Sequence, residues 1–195
     1  LSKGQTINLS KDSGSGLTKV FMGLGWDPVE QKKGGFLGGL FGGGGGGGDI
    51  DLDASVIMLD AGKQVIDAVS FSQLTSKDGS IRHGGDNLTG QGDGDDEVIY
   101  VDLTKLPAQA THLVFTVNSF RGQTFNEVEN AFARLVDDTN DTELCRYTLT
   151  EQGQHTGVVM ASMTKGSDGW HMTAHGKPCQ GRTVKDIAKD AVGVL

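Results

Sequence analysis

The chain predicts a mainly β fold, a two-sheet β-sandwich with a short C-terminal helix. Three observations predict it. Short segments alternate apolar and polar residues with a period of two, clusters of Gly, Asn, Asp and Ser separate them, and only the last segment has helical spacing. At 195 residues the chain can bury one substantial core, so a single domain over 1–195 suffices.

Residues 6–9 and 19–26 read as an opening antiparallel pair around the turn Ser13-Gly14-Ser15-Gly16. Residues 51–59 alternate next, and 98–101 (Val98, Ile99, Tyr100, Val101) form a strand directly after an acidic loop. Residues 112–118 place Leu113, Phe115 and Val117 on one face. Residues 131–136 and 144–149 flank the polar turn 137–142, and 157–163 and 170–174 read as a hairpin around Gly166-Ser167-Asp168-Gly169. Residues 183–192 read as helix, capped by Thr183 and carrying an apolar stripe of Val184, Ile187, Ala188 and Ala191. A Gly-rich insertion at about 32–48 interrupts the strands. Its unbroken glycines carry a large ordering cost, which predicts a flexible tract. Phe36, Leu37, Leu40 and Phe41 would give that tract an apolar tip able to touch a partner or a membrane surface.

Composition excludes several classes. The formal charge of −8, with scattered Lys and Arg, argues against a nucleic-acid-binding face. Two cysteines without a CxxC pair make neither a disulfide scaffold nor a zinc knuckle, and free thiols fit a reducing cytoplasm. No stretch has the apolar length of a membrane span, and residues 1–4 lack the apolar run of a signal peptide. Neither a Gly-x-Ser-x-Gly elbow nor a phosphate loop is present. His171 and His175, four apart in a strand-like segment, are too far separated for a zinc pair. His83, beside the acidic loop, reads as a hydrogen-bonding turn residue, and Arg121 as a surface arginine capping a turn.

The densest chemical signal is residues 85–97. Five carboxylates (Asp86, Asp93, Asp95, Asp96, Glu97), the Asn87 amide and four glycines fall within it. Such a cluster repels itself unless a hard cation sits among its oxygens, and calcium takes about six to eight oxygen ligands, backbone carbonyls included. An EF-hand is excluded, because Leu88 and Gly90 hold its third and fifth positions and Gln91 stands where that loop needs Gly. Upstream, alternation would set Asp49, Asp51 and Asp53 on one strand face. Asp51 and Asp53 would then be roughly 7 Å apart, wide for one ion, which favours two neighbouring ions. The rival reading of the cluster is a metal-dependent hydrolase, which would need an open coordination position and a nearby general base, and no such base stands out in the sequence.

The sequence resembles the TerD-domain proteins of tellurite-resistance and stress-response operons, most closely their TerZ branch. The resemblance rests on Leu1-Ser2-Lys3-Gly4 with Asn8-Leu9-Ser10-Lys11, on Gly23-Leu24-Gly25-Trp26-Asp27, on Asp51-Leu52-Asp53-Ala54-Ser55, on the 85–97 motif and on Asn130-Ala131-Phe132-Ala133-Arg134-Leu135-Val136. Leu88 stands where the family has Arg, which removes a charge but no oxygen ligand. The resemblance implies a non-enzymatic calcium-binding β-sandwich, cytoplasmic or peripheral to the inner membrane. Its partners would be other tellurite-resistance proteins, including the membrane protein TerC. Carried over residue by residue, the implied metal ligands are Asp27, Asp51, Asp53, Asp86, Asn87, Asp93, Asp95, Asp96 and Glu97, with the backbone carbonyls of Leu88 and Gly90. The family pattern ranks Asp51, Asp53, Asp86, Asp95 and Glu97 first.

Overall fold

The computed structural model describes residues 1–10, 16–29, 50–85, 94–150 and 152–195. The glycine-rich insertion, with Phe36, Leu37, Leu40 and Phe41, lies outside the described residues, as do Asp86, Asn87, Leu88, Gly90 and Asp93.

Among the described residues, eleven strands and one α-helix follow in order: β1 (Thr6–Asn8), β2 (Lys19–Pro28), β3 (Leu52–Asp60), β4 (Val65–Val69), β5 (Ile81–His83), β6 (Glu97–Asp102), β7 (Ala110–Ser119), β8 (Val128–Asp137), β9 (Thr142–Thr148), β10 (Gly157–Gly166), β11 (Gly169–Cys179) and α1 (Val184–Val192). They form a six-stranded sheet, β1-β11-β10-β7-β3-β4, and a five-stranded sheet, β5-β6-β2-β8-β9. Every named pairing is antiparallel. This is the sandwich the alternation predicts.

The two sheets meet through the alternate residues of each strand. Met22 and Leu24 of β2, Val56 and Met58 of β3, and Leu113 and Phe115 of β7 all lie in one buried cluster. β3 and β7 run through the middle of their sheet and are covered on both faces. Their other apolar residues, Ile57, Leu59 and Val114, meet Val184, Ile187 and Ala191 of α1. The helix therefore covers part of the outer face of the larger sheet. Its first turn is held by Asp186, whose carboxylate accepts from the backbone N–H of Arg182 at 3.0 Å and of Thr183 at 2.9 Å.

Two expectations are corrected. Residues 6–9 and 19–26 do not form a hairpin: β1 pairs with β11, while β2 lies in the other sheet between β6 and β8. Alternation tells which face of each segment is buried, but leaves the choice of partner strand open. Secondly, β3 begins at Leu52, so Asp51 precedes the strand rather than extending its alternation. The short strands β4 and β5 escape the sequence reading altogether. β4 follows a tight turn in which Lys63, at φ 61°, takes the left-handed conformation rather than the adjacent Gly62. The anticipated hairpin β10–β11 is present, and β8 and β9 pair across the polar turn that separates them.

Candidate metal centre

One end of the sandwich gathers the start of β3, the close of β5, the start of β6 and the ends of β2 and β7. Register fixes this: Leu24 is opposite Glu97, and Leu52 is opposite Ser119. The indole Nε1–H of Trp26 ties the sheets together by donating to the Ile50 carbonyl at 3.1 Å.

Glu97 opens β6 on the face shared with Ile99 and Val101, which turns its carboxylate into the sandwich, where it is 1 % exposed. Its Oε2 accepts the Ala54 N–H at 2.7 Å and lies 3.2 Å from Nε2 of buried His83. His83 Nδ1 accepts the Gly85 N–H at 3.1 Å, so the ring proton resides on Nε2. That proton is shared between Glu97 and the Ala54 carbonyl, which is also 3.2 Å from Nε2. A neutral imidazole and a backbone amide thus stabilise a buried carboxylate. The consequence is positional. Residues 83–85 and 94–97 are the two stems of the acidic segment, and this clamp fastens both to β3 at Ala54, the neighbour of Asp53.

Asp51 and Asp53 are both buried, at 6 % and 4 % exposure. The Arg121 Nε lies 2.8 Å from Asp51 Oδ2, and the Asp51 N–H donates to Gln123 Oε1 at 3.2 Å. Asp53 pairs with Asn118 of β7. Asn118 donates through Nδ2 to the Arg182 carbonyl at 2.7 Å, which orients its amide. Its Oδ1 is then left buried with no hydrogen-bond partner among the described residues. Directly opposed β residues have Cβ atoms roughly 5 Å apart. An oxygen without a donor beside a buried carboxylate fits a hard cation better than it fits any protein donor.

The remaining acids sit elsewhere at this end. Asp95 lies over Gly23 of β2, where there is no room for a Cβ, and faces Arg134 of β8. Arg134 grips it with Nε and Nη2, both at 2.7 Å, and the guanidinium lies 5.7 Å above the Phe21 ring. Asp96 Oδ2 accepts the Trp26 N–H at 2.8 Å, and Asp27 Oδ2 accepts from Asn130 Nδ2 at 2.8 Å. Burial, and then the neighbouring Asp27 and Asp95 charges, hold the Asp96 carboxyl above its usual range despite the Trp26 hydrogen bond. A carboxyl held above its unfolded value stabilises the fold while protonated, and that contribution is lost as pH rises through its folded value. Asp96→Asn keeps an acceptor for Trp26 and removes the charge. It is expected to raise the melting temperature in EDTA at neutral pH, by about 2–4 °C per kcal/mol relieved in a chain of this size. It should also flatten the pH dependence just above the ordinary carboxylate range. A lower melting temperature at neutral pH would contradict this account of Asp96.

The candidate ligands therefore fall into three settings: Asp51 and Asp53 beside Asn118, Glu97 in the clamp, and Asp27, Asp95 and Asp96 around the end of β2. Among the described residues, no three His, Cys, Asp or Glu side chains converge to hold a metal ion. The sequence reading missed Asn118, and it took Arg121 for a turn cap. Asn118 is a polar residue that an alternation analysis could have noticed at the end of the apolar run of β7. His171 bonds Asp168 at 2.7 Å and His175 bonds Ser162 at 2.8 Å, so neither histidine is arranged around a shared metal. Burial pushes the Cys145 thiol up to about 11 and the Cys179 thiol up to about 12.

The fold and this end define a class: an antiparallel β-sandwich with a helix on one outer face and an acidic segment anchored at its end. The chain belongs to the TerD-domain family, whose profile matches residues 1–190. It is 54 % identical over 195 residues to the tellurium resistance protein TerZ of Serratia marcescens, covering 100 % of this chain and 97 % of that one. It is 42 % identical over 194 residues to the stress response protein SCP2 of Bacillus subtilis, covering 96 % of each. A crystal structure of a homologue of telluride resistance protein (TerD) from Streptomyces coelicolor superposes with a TM-score of 0.67 at 21 % identity, over 89 % of this chain and 96 % of that one. That likeness shows the shared fold.

Proposed function

We propose that this protein is a non-enzymatic calcium-binding module of the tellurium-resistance and stress-response group. The observation that supports the reading is the His83–Glu97–Ala54 clamp, which fastens both stems of the acidic segment to β3 at the residue next in sequence to buried Asp53. Asp51, Asp53 and the Asn118 carboxamide oxygen would supply one side of a calcium shell. Asp86, Asn87, Asp93 and the Leu88 and Gly90 carbonyls would complete it from the segment above. Asp27 and Asp96 would serve a second, neighbouring ion, in keeping with the separation of the acids into groups. Bound calcium supplies positive charge that offsets the mutual repulsion of these carboxylates. Glu97 would act by holding the stems, since its Oε2 is committed to Ala54 and His83.

The relatives' names speak of resistance and stress response rather than of a reaction, which accords with a binding role. No helix among the described residues is long and apolar enough to cross a membrane. Association with a membrane-linked assembly, through other proteins of the resistance system and through Phe36, Leu37, Leu40 and Phe41, is part of the proposal. Melting the protein in EDTA, in millimolar magnesium and in millimolar calcium tests its core. Calcium at a hundredfold excess over Kd should add about 2.7 kcal/mol, and magnesium much less. Identical melting temperatures in all three would end the calcium reading. Replacing the four apolar residues by Ser should leave that calcium shift intact while lowering co-sedimentation with membranes.

A further inference from the structure

Two arginines face the acids of this end, and they are held very differently. Arg134 makes a two-pronged bond to Asp95, lies above Phe21, reaches Glu143 at 3.4 Å and has a side chain only 28 % exposed. Arg121 meets Asp51 through Nε at 2.8 Å, and its side chain is 55 % exposed. A parallel two-pronged bond anchored at several points is a permanent part of the fold, whereas a single exposed contact gains little and reforms easily. The carboxylate that Arg121 touches is nevertheless buried, and a buried carboxylate is strongly destabilising without a positive partner.

We propose that Arg121 is the built-in counter-cation of the centre: it holds Asp51 in the metal-free protein and gives Asp51 up when a divalent cation binds. This rests on the calcium reading above. Chain geometry supports the exchange. Arg121 lies two residues past the end of β7 in an exposed segment, and the next residue is Gly122 at φ 83°, so the side chain projects from a short surface turn. Gln123 supports the same aspartate from its backbone side through the Asp51 N–H, so Asp51 need not move when Arg121 leaves. Asp95, by contrast, remains with Arg134. The inference thus separates the two acids that the family pattern ranks together, making Asp51 exchangeable and Asp95 structural. It also gives Arg121 a role in setting affinity. Each calcium must compete with a guanidinium that is always charged, which raises the concentration at which the site fills and reduces occupancy by weaker cations such as magnesium.

The test is calorimetric titration with calcium chloride, with melting in EDTA, of the wild type, Arg121→Gln, Arg121→Lys and Arg134→Gln. Arg121→Gln should melt lower than wild type in EDTA yet bind calcium roughly three- to tenfold more tightly, because an exposed pair of this kind is lost only from the metal-free state. Arg121→Lys should fall between the two and guards against a folding failure of the Gln variant. Arg134→Gln should melt lower both with and without calcium, with no gain in affinity. Unchanged or weaker calcium affinity in both Arg121 variants, with the wild type binding, overturns this proposal alone. No calcium heat from the wild type overturns the calcium reading and this proposal together.

Discussion

Asp51→Asn combined with Asp53→Asn is expected to abolish calcium-dependent stabilisation while leaving a folded sandwich. Both positions are buried, so each negative charge there depends on a nearby positive charge or donor. Asparagine preserves size and one oxygen but not the charge that selects a hard cation. If calcium at a hundredfold excess over Kd contributes about 2.7 kcal/mol, the wild-type shift between EDTA and calcium should be about 5–10 °C, and the double variant should show none. Its melting temperature in EDTA should stay near that of the wild type, because the loss of the Arg121 contact is countered by relief of two buried charges. A calcium shift that survives intact would move the site away from the start of β3. A double variant unable to fold in either condition would make these aspartates structural.

The second large effect is at Glu97. Glu97→Ala would strip the carboxylate acceptor from the Ala54 N–H and from His83 Nε2–H, both deep in the protein. A buried donor left without a partner costs about 1–3 kcal/mol. The Ala54 N–H loses its Glu97 acceptor and the His83 Nε2–H keeps the Ala54 carbonyl, and with the vacated volume stability should fall by about 3–5 kcal/mol, or roughly 10–15 °C in melting temperature. Glu97→Gln retains an acceptor oxygen and should lose markedly less. Calcium affinity should fall with the alanine variant as well, because the stems of the acidic segment lose their common attachment to β3. Equal melting temperatures for the Ala and Gln variants would mean that the clamp does not hold this end together. A destabilised alanine variant with unchanged calcium affinity would separate the clamp from the metal site.

Much of this protein is readable from its residues, and the places where reading stops have physical causes. β7 and the β10–β11 hairpin are legible because alternation and the Gly166–Gly169 turn agree. β3 is legible as a strand but reads more apolar than simple alternation, since α1 covers the face opposite the core. The pairing of β1 with β11 is not legible, because nothing local distinguishes a neighbour in sequence from a neighbour in space. At the candidate site, the acids and the family motif mark the residues to look for. Neither shows that Glu97 faces inward onto His83, that Asp95 is gripped by Arg134, or that Asn118 stands across from Asp53.

The sequence by itself determined the β-sandwich, the helix that ends the chain, the family and the oxygen-rich chemistry of one segment, because period, composition and motif are properties of neighbouring residues. The tertiary structure alone decided the counter-charges. Arg121, Arg134 and His83 come from the segment after β7, from β8 and from β5, and which acid each one meets depends on strand register and sheet order, which only the packed chain sets.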